Sequence, residues 1–116
     1  MALTSSISTV FGSATAAYAC QQLEFCDIGS TTGIGANAFA NCLALDTLVI
    51  RKTTLCTLSN VSAFTNTPLG SGGTGGTVYV PSALISTYQT ATNWSTLYSG
   101  GTITFAAIEG SDYDLS

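Results

Sequence analysis

Few side chains in this sequence could carry out chemistry: there are six carboxylates, four cysteines and two cations, and no histidine. Glu24 and Asp46 hold equivalent positions in two related segments, so they could stand close together like the carboxylate pair of a glycosidase. Charged residues at such outward positions are, however, usually only solvated. Without histidine, no Ser-His-Asp or Cys-His arrangement can form. We therefore expect no catalytic residues and a protein that is not an enzyme.

Metal and cofactor sites are also not expected. The cysteines show no C-x-x-C spacing, which argues against zinc. Glu109, Asp112 and Asp114 lack the spacing of a calcium loop, so they are interpreted as a solvated acidic tail. The stretch "GSGGTGGT", Gly70 to Thr77, lacks the Gly-Lys-Ser/Thr ending of a phosphate loop and is interpreted as a flexible surface insertion.

Composition limits the partners. At 116 residues the chain is long enough for about one domain. Only 7% of its residues are charged, and Arg51 and Lys52 are the only basic residues in a chain of net charge −4. Nucleic acid and anionic membrane surfaces are not expected partners, because binding either requires several cations. The weak repulsion between copies instead favours self-association.

A repeated pattern organises the middle of the chain. "CLALDTLVI", Cys42 to Ile50, aligns with "CQQLEFCDI", Cys20 to Ile28, at a period of 22 residues. A third, degraded copy begins at "NVSAFTNTP", where Ala63-Phe64 repeats Ala38-Phe39 after 25 residues. Each copy is expected to form one coil of a short solenoid, because a single coil cannot bury its own apolar face.

The repeat predicts parallel strands near Leu23 to Ile28, Leu45 to Ile50 and Val78 to Val80. Alternation along a strand points Leu48 and Ile50 inward and Val49 outward. Cys20 and Cys42 fall at equivalent positions roughly 5 Å apart in adjacent coils, where they could be buried thiols or form a disulfide. The predicted structural core comprises Phe39, Phe64, Leu45, Leu48, Ile50, Cys20 and Cys42.

The last third of the chain is typical of a cap. "PSALISTYQTA" predicts a short amphipathic helix that starts near Ser82 and ends at Asn93-Trp94, and "GGTITFAAI" predicts a final strand. Together they would cover the open end of the solenoid. Trp94, Tyr79 and Tyr98 are a candidate binding surface, such as a platform for sugars. The alternative use of Trp94 is core packing.

These motifs also carry a family resemblance. "IGANAFANCLALDTLVI", Ile34 to Ile50, resembles the BspA-like leucine-rich repeat, and the segment from "SAFTNTP" through "YVPSALISTYQTATNWS" to "AIEGSDYD" resembles the closing module of such proteins. The resemblance implies an α/β leucine-rich-repeat-like solenoid of parallel strands with a C-terminal helix-plus-strand cap. It also implies adhesion or structure, since such proteins occur on bacterial surfaces and among tail-associated proteins of phages and prophages of gut bacteria.

The expected organisation has three parts. Residues 1–16 form an N-terminal segment that could serve in oligomerisation or docking, residues 17–80 form two to three coils, and residues 81–116 form the cap and acidic tail. No signal peptide or transmembrane helix is expected, because the N-terminal stretch lacks a basic region and a continuous apolar core.

Two functions remain open. The first is a non-enzymatic structural protein, a homo-oligomeric component of a phage or phage-like particle that contacts other particle or surface proteins. The alternative is a bacterial adhesion module that binds a host glycan or receptor. Either function would place the chain in the virion or on an extracellular surface.

Overall fold

Two parallel sheets organise the fold. The computed structural model describes residues 24–36, 38–40 and 42–114. The larger sheet has the strand order β1-β3-β5-β6, and the smaller sheet pairs β2 with β4. The strands are β1 (Phe25–Asp27), β2 (Gly33–Ile34), β3 (Thr47–Val49), β4 (Thr57–Leu58), β5 (Gly76–Val80) and β6 (Ile103–Ala107).

The helical elements are short. A 3₁₀ turn spans Val61–Phe64, and a second 3₁₀ turn, Ser82–Leu84, leads into α1 (Ile85–Thr90), which is followed by α2 (Trp94–Ser99). The predicted helix near Ser82 is confirmed, but its predicted end is wrong. The helix ends at Thr90, and Trp94 begins a second helix. In the part of the chain that the structure describes, no helix is long and apolar enough to cross a membrane.

The predicted parallel pairing is confirmed for all three strands, although β1 and β3 are shorter than expected. Cys26 pairs with Leu48, 22 residues later, and the same row continues through Val78 to Phe105. All four of these side chains are buried in the core. The neighbouring positions point to the opposite side of the sheet, because side chains alternate along each strand.

The core contains the predicted residues. Those within the described ranges are fully buried: Phe39, Phe64, Leu45, Leu48, Ile50 and Cys42. The rings of Phe39 and Phe64 are stacked, with centroids 5.6 Å apart and planes 2° from parallel, and Trp94 lies 6.0 Å beyond Phe64. Cys20 and the N-terminal segment 1–16 lie outside the described residues, and so does any disulfide that involves Cys20.

The glycine-rich insertion is folded against the core, so the prediction of a flexible surface loop is wrong. Gly75 donates a backbone hydrogen bond to the Pro68 carbonyl at 2.8 Å, and Gly70 donates one to Thr67 Oγ1 at 3.1 Å. Leu69 is fully buried between them. A Cβ at Gly70 would overlap the backbone carbonyl of Phe64. Glycine is therefore required by close packing as well as by turn formation.

Candidate functional site

The larger sheet turns one face away from the core. Two rows of side chains line this outward face: Phe25, Thr47, Thr77 and Thr104 in the first, and Asp27, Val49, Tyr79 and Ala106 in the second. Phe25 is 40% exposed, which makes it one of the large apolar side chains that reach solvent in the described residues. Hydroxyls and aromatic rings side by side suit contact with another molecule, because both polar and apolar groups are available.

The C-terminal tail folds back onto this face. The Tyr113 ring stacks on Phe25 with centroids 5.2 Å apart, and its edge meets Tyr79 at 4.7 Å. These two partners belong to β1 and β5, on either side of the strand that carries Val49. Val49 occupies an outward row, as predicted, yet it is fully buried. The tail thus covers the centre of the outward face.

Arg51 ties the tail to the sheet. Its Nε donates a hydrogen bond to Asp27 Oδ2 at 2.8 Å, and its Nη1 donates one to the Tyr113 carbonyl at 2.8 Å. Asp27 Oδ1 accepts a further bond from the Gly29 amide at 2.9 Å. Both oxygens of the carboxylate are therefore engaged, and the guanidinium is held in one orientation beside Tyr113.

Further hydrogen bonds shape the tail, so the prediction of a solvated acidic tail is wrong. Asp114 Oδ2 accepts from the Gly110 amide at 2.9 Å, and the Tyr113 amide donates to Ser111 Oγ at 3.1 Å. Glu109 Oε1 accepts from the Ser82 amide at 2.9 Å. The backbone N–H groups of Glu109 and Ser82 lower the pKa of the Glu109 carboxyl, because they stabilise its charged form. In the described ranges, no group of three or more potential ligands could hold a metal ion.

A second constellation closes the edge of the smaller sheet. The amides of Thr57 and Ser59 point toward β2, so the polar backbone groups of Cys56 and Leu58 face away from it. The cap supplies their partners: Tyr88 Oη accepts from the Cys56 amide at 2.9 Å, and Trp94 Nε1 donates to the Cys56 carbonyl at 2.8 Å.

Asn93 completes this arrangement. Its Nδ2 donates to the Leu58 carbonyl at 2.7 Å, while its own backbone adopts a φ of 68°. Three side chains therefore occupy the hydrogen-bonding positions that a further strand would take. This role explains physically why Tyr88, Asn93 and Trp94 occur in the order that the sequence shows.

The environment of the cap also makes Cys56 unreactive. Burial raises the pKa of the Cys56 thiol to about 12, against a smaller opposing effect of Lys52. Burial likewise raises the pKa of Tyr88 to about 12. The thiol is therefore protonated at neutral pH, and the thiolate that acts as a nucleophile is scarce.

The predicted aromatic platform is not assembled. Trp94 is fully buried, so its assignment to a binding surface is wrong, and the alternative of core packing holds. Tyr98 is 38% exposed and packs 5.8 Å from Phe105, on the core side of the sheet. Tyr79 lies on the outward face. The structure therefore separates the three residues and groups Tyr79 with Phe25 and Tyr113 instead.

The acidic pair is adjacent but exposed. The amides of Asp46 and Thr47 donate to the Glu24 carbonyl at 3.1 Å and 3.2 Å, so the predicted equivalence of the two acidic positions is correct. Both side chains are exposed, and Asp46 Oδ1 accepts from Thr47 Oγ1 at 3.0 Å. The next backbone along this ladder is Gly76-Thr77, which has no carboxylate. No enclosed acid-base arrangement results.

A shallow depression lies beside the glycine-rich insertion. It measures about 350 Å³ and is lined by residues that include Leu43, Asn66, Pro68 and Thr74. Leu43 is 51% exposed at its edge. None of the lining residues is an acid, a base or a thiol, so the depression has no group for chemistry.

Three residues of the outward face were missed from the sequence: Phe25, Arg51 and Tyr113. Phe25 carried a usable signal, because it precedes the inward Cys26 and an apolar residue at an outward position is unusual. Arg51 follows the strand segment of its repeat and carried a weaker signal. Tyr113 carried none, because its docking is set by contacts with residues more than thirty positions away in sequence.

Comparison with known proteins adds nothing to this geometry. No family model, curated protein or solved structure matches the chain. Function must therefore be argued from the arrangement of the residues themselves.

Proposed function

We propose that this chain is a non-enzymatic structural and interaction protein, a short leucine-rich-repeat-like unit of a larger assembly. The outward face of the parallel sheet is its contact surface. The observation that carries this proposal is the cluster of Phe25, Tyr79 and Tyr113 beside Arg51, on the side of the sheet opposite the core. Aromatic rings and arginine are the residue types enriched at protein interfaces.

Stacked coils are the architecture proposed for this unit. Support comes from the Phe39–Phe64 stack and from matching backbone turns, in which the Cys42 amide donates to the Phe39 carbonyl as the Thr67 amide does to the Phe64 carbonyl. The Phe39 amide also donates to the Ala63 carbonyl at 2.8 Å and thereby joins the two turns. Trp94 extends the aromatic column and makes the cap the last layer of the stack.

The assembly proposed is homo-oligomeric and belongs to a phage or phage-like particle, with the virion or an extracellular surface as its location. The low charge of the chain supports association between copies, because little electrostatic repulsion opposes it. Residues 1–16 are proposed as an additional docking arm. The proposal is supported by the motif resemblance and by the form of the outward face.

Light scattering on the purified chain at micromolar concentration tests this proposal. We expect a mass that is a multiple of the 11.8 kDa chain, with a closed ring or trimer as the expected form. A chain that remains monomeric at all concentrations up to the millimolar range would contradict it.

A glycan- or receptor-binding adhesion module is the second candidate. Its support is the exposed ring of Phe25 beside Tyr79 and the hydroxyl row of the outward face, which together could stack on a sugar and hydrogen-bond to it. A panel of host-surface glycans separates the two functions. Saturable glycan binding that Tyr79→Ala abolishes, with Tyr98→Ala as the control, would favour adhesion.

A further inference from the structure

The way the tail sits on the outward face indicates what this face can bind. We propose that the face is a docking site for the C-terminal tail of a second copy, so that copies are linked by exchange of residues 109–116. In the exchanged arrangement, the partner copy contributes the tyrosine that fills the gap between Phe25 and Tyr79. This inference rests on the proposed homo-oligomeric function and names the contact that holds the copies together.

Shape is the first support. The face holds the tail through one ring inserted between two others and through one hydrogen bond from Arg51 to the Tyr113 carbonyl. None of these contacts depends on the covalent link between tail and sheet. The same contacts form when the tail belongs to another copy, which is the basis of exchange between identical chains.

Charge is the second support. The tail holds three of the six acidic residues of the chain, and Arg51 and Lys52 are its only cations. The acidic segment therefore docks where the positive charge of the chain is concentrated. This complementarity selects a tyrosine-bearing acidic segment over a neutral one.

The internal structure of the tail is the third support. Hydrogen bonds from the Gly110 amide to Asp114 and from the Tyr113 amide to Ser111 lie within the segment and move with it. Gly110 has a φ of 83°, in the region where glycine is favoured, directly after the last strand and its following residues. A preformed segment behind a glycine loses less conformational freedom when it docks on a partner.

The test uses an acceptor chain that ends at Gly110 and a fluorescent peptide with the sequence of residues 109–116, EGSDYDLS. We expect saturable binding of the peptide to the acceptor. A peptide with Tyr113→Ala should bind at least about tenfold more weakly, because it lacks the anchoring ring. The full-length chain should also bind the peptide at least about tenfold more weakly, because its own tail competes at a high effective concentration.

A second arm measures exchange between chains. Acceptor is mixed with a full-length donor that carries Arg51→Ala and Phe25→Ala, and light scattering should show a 1:1 complex that Tyr113→Ala in the donor abolishes. Circular dichroism and Trp94 fluorescence confirm that each variant is folded. If the acceptor does not fold, full-length Tyr113→Ala serves as the acceptor in both arms.

The outcomes are distinct. A folded acceptor that binds no peptide, or that binds peptide but forms no complex with the donor, overturns tail exchange. If the full-length chain is nevertheless oligomeric, the proposed function stands and copies associate through another contact. If the full-length chain is monomeric and no exchange occurs, both proposals fail.

Discussion

Individual aromatic side chains hold this protein together through both packing and hydrogen bonding. Phe39 and Phe64 contribute apolar area alone, whereas Trp94 continues the same column and also donates to the Cys56 carbonyl. Burying a large ring is strongly stabilising, and a buried polar group of that ring must find a partner. Trp94 satisfies both requirements, which is why it lies inside the cap and not on its surface.

Truncating the aromatic column should unfold much of the protein population. We expect Phe39→Ala to lower the free energy of unfolding by about 3–5 kcal/mol, because the cavity that it leaves is enclosed on all sides. Leu43→Ala is the matched control. Leu43 is 51% exposed, so its truncation should change the free energy by less than about 0.5 kcal/mol. Urea unfolding followed by Trp94 fluorescence measures both, and equal effects would contradict the packing described here.

The Cys56 thiol makes stability sensitive to alkaline pH. Its pKa rises from an ordinary value of 9.0 to about 12 in the folded protein. Between these values the folded chain retains a proton that the unfolded chain has lost, so the free energy of unfolding falls as pH rises, by about 1.4 kcal/mol per pH unit for this group. Urea unfolding at pH 8, 9.5 and 10.5 should show this decline. Cys56→Ala should make it shallower, and an unchanged slope would contradict the assignment.

The sequence indicated the buried residues well and the outward cluster poorly. Leu48 and Phe64 repeat at a fixed spacing, and this spacing reports burial because each coil places equivalent residues at equivalent depth. The Phe25–Tyr113 contact has no such regularity. It forms only after β1 and β6 have joined one sheet, so no local pattern encodes it.

At the scale of elements, the cap solves the problem of an open strand edge. An unpaired edge strand exposes donors and acceptors that can pair with other chains. In β4 these groups are satisfied by Tyr88, Asn93 and Trp94. Side chains from helices thus end the smaller sheet without adding another strand, and the hydrogen bonds that hold the cap in place also limit the growth of the sheet.

Removing one hydroxyl from the cap should be costly. We expect Tyr88→Phe to lower the free energy of unfolding by about 1–3 kcal/mol, because the Cys56 amide would remain buried without its acceptor. Tyr98→Phe is the matched control, since Tyr98 is 38% exposed and its hydroxyl can meet water. Thermal unfolding by calorimetry distinguishes the two variants, and equal stability of both would show that the cap hydrogen bond is not formed.

The glycine-rich insertion should be intolerant at one position and more tolerant at another. Gly70→Ala places a methyl group against the Phe64 carbonyl and should cost about 2 kcal/mol or more. Gly72→Ala has open space around its Cβ, so only its φ of 79° opposes the change, at about 1–2 kcal/mol. Chemical denaturation of both variants checks this order. A less stable Gly72→Ala protein would contradict the packing of the loop.

Elements with a long or repeated signal could be predicted, and very short ones could not. The strands that recur with the repeat and the helix that starts after Pro81 were predicted. β2 and β4 contain two residues each, too few for any periodicity to show. Helix α2 was missed because the chain turns sharply at Asn93, where a positive φ separates two helices that a continuous polar sequence seems to merge.

At the scale of the whole molecule, the described residues present two different surfaces. The core side of the sheet is covered by α1 and α2, whose residues pack on β6. The outward side is covered only in part, by the tail, and its threonine row remains accessible at Thr104. An interaction protein needs one such surface that is supported by a rigid sheet. The account therefore centres on the claim that copies of this chain meet through the outward face.

Light scattering on two matched double variants tests that claim most directly. Thr77→Lys with Thr104→Lys adds two charges to the outward face, where they should oppose close contact between copies because each would lose its hydration. Ser86→Lys with Thr87→Lys adds the same charges to the exposed surface of α1. We expect the first variant to be a folded monomer and the second to keep the oligomeric mass of the unmodified chain. An oligomer of unchanged mass in the first variant would contradict the account.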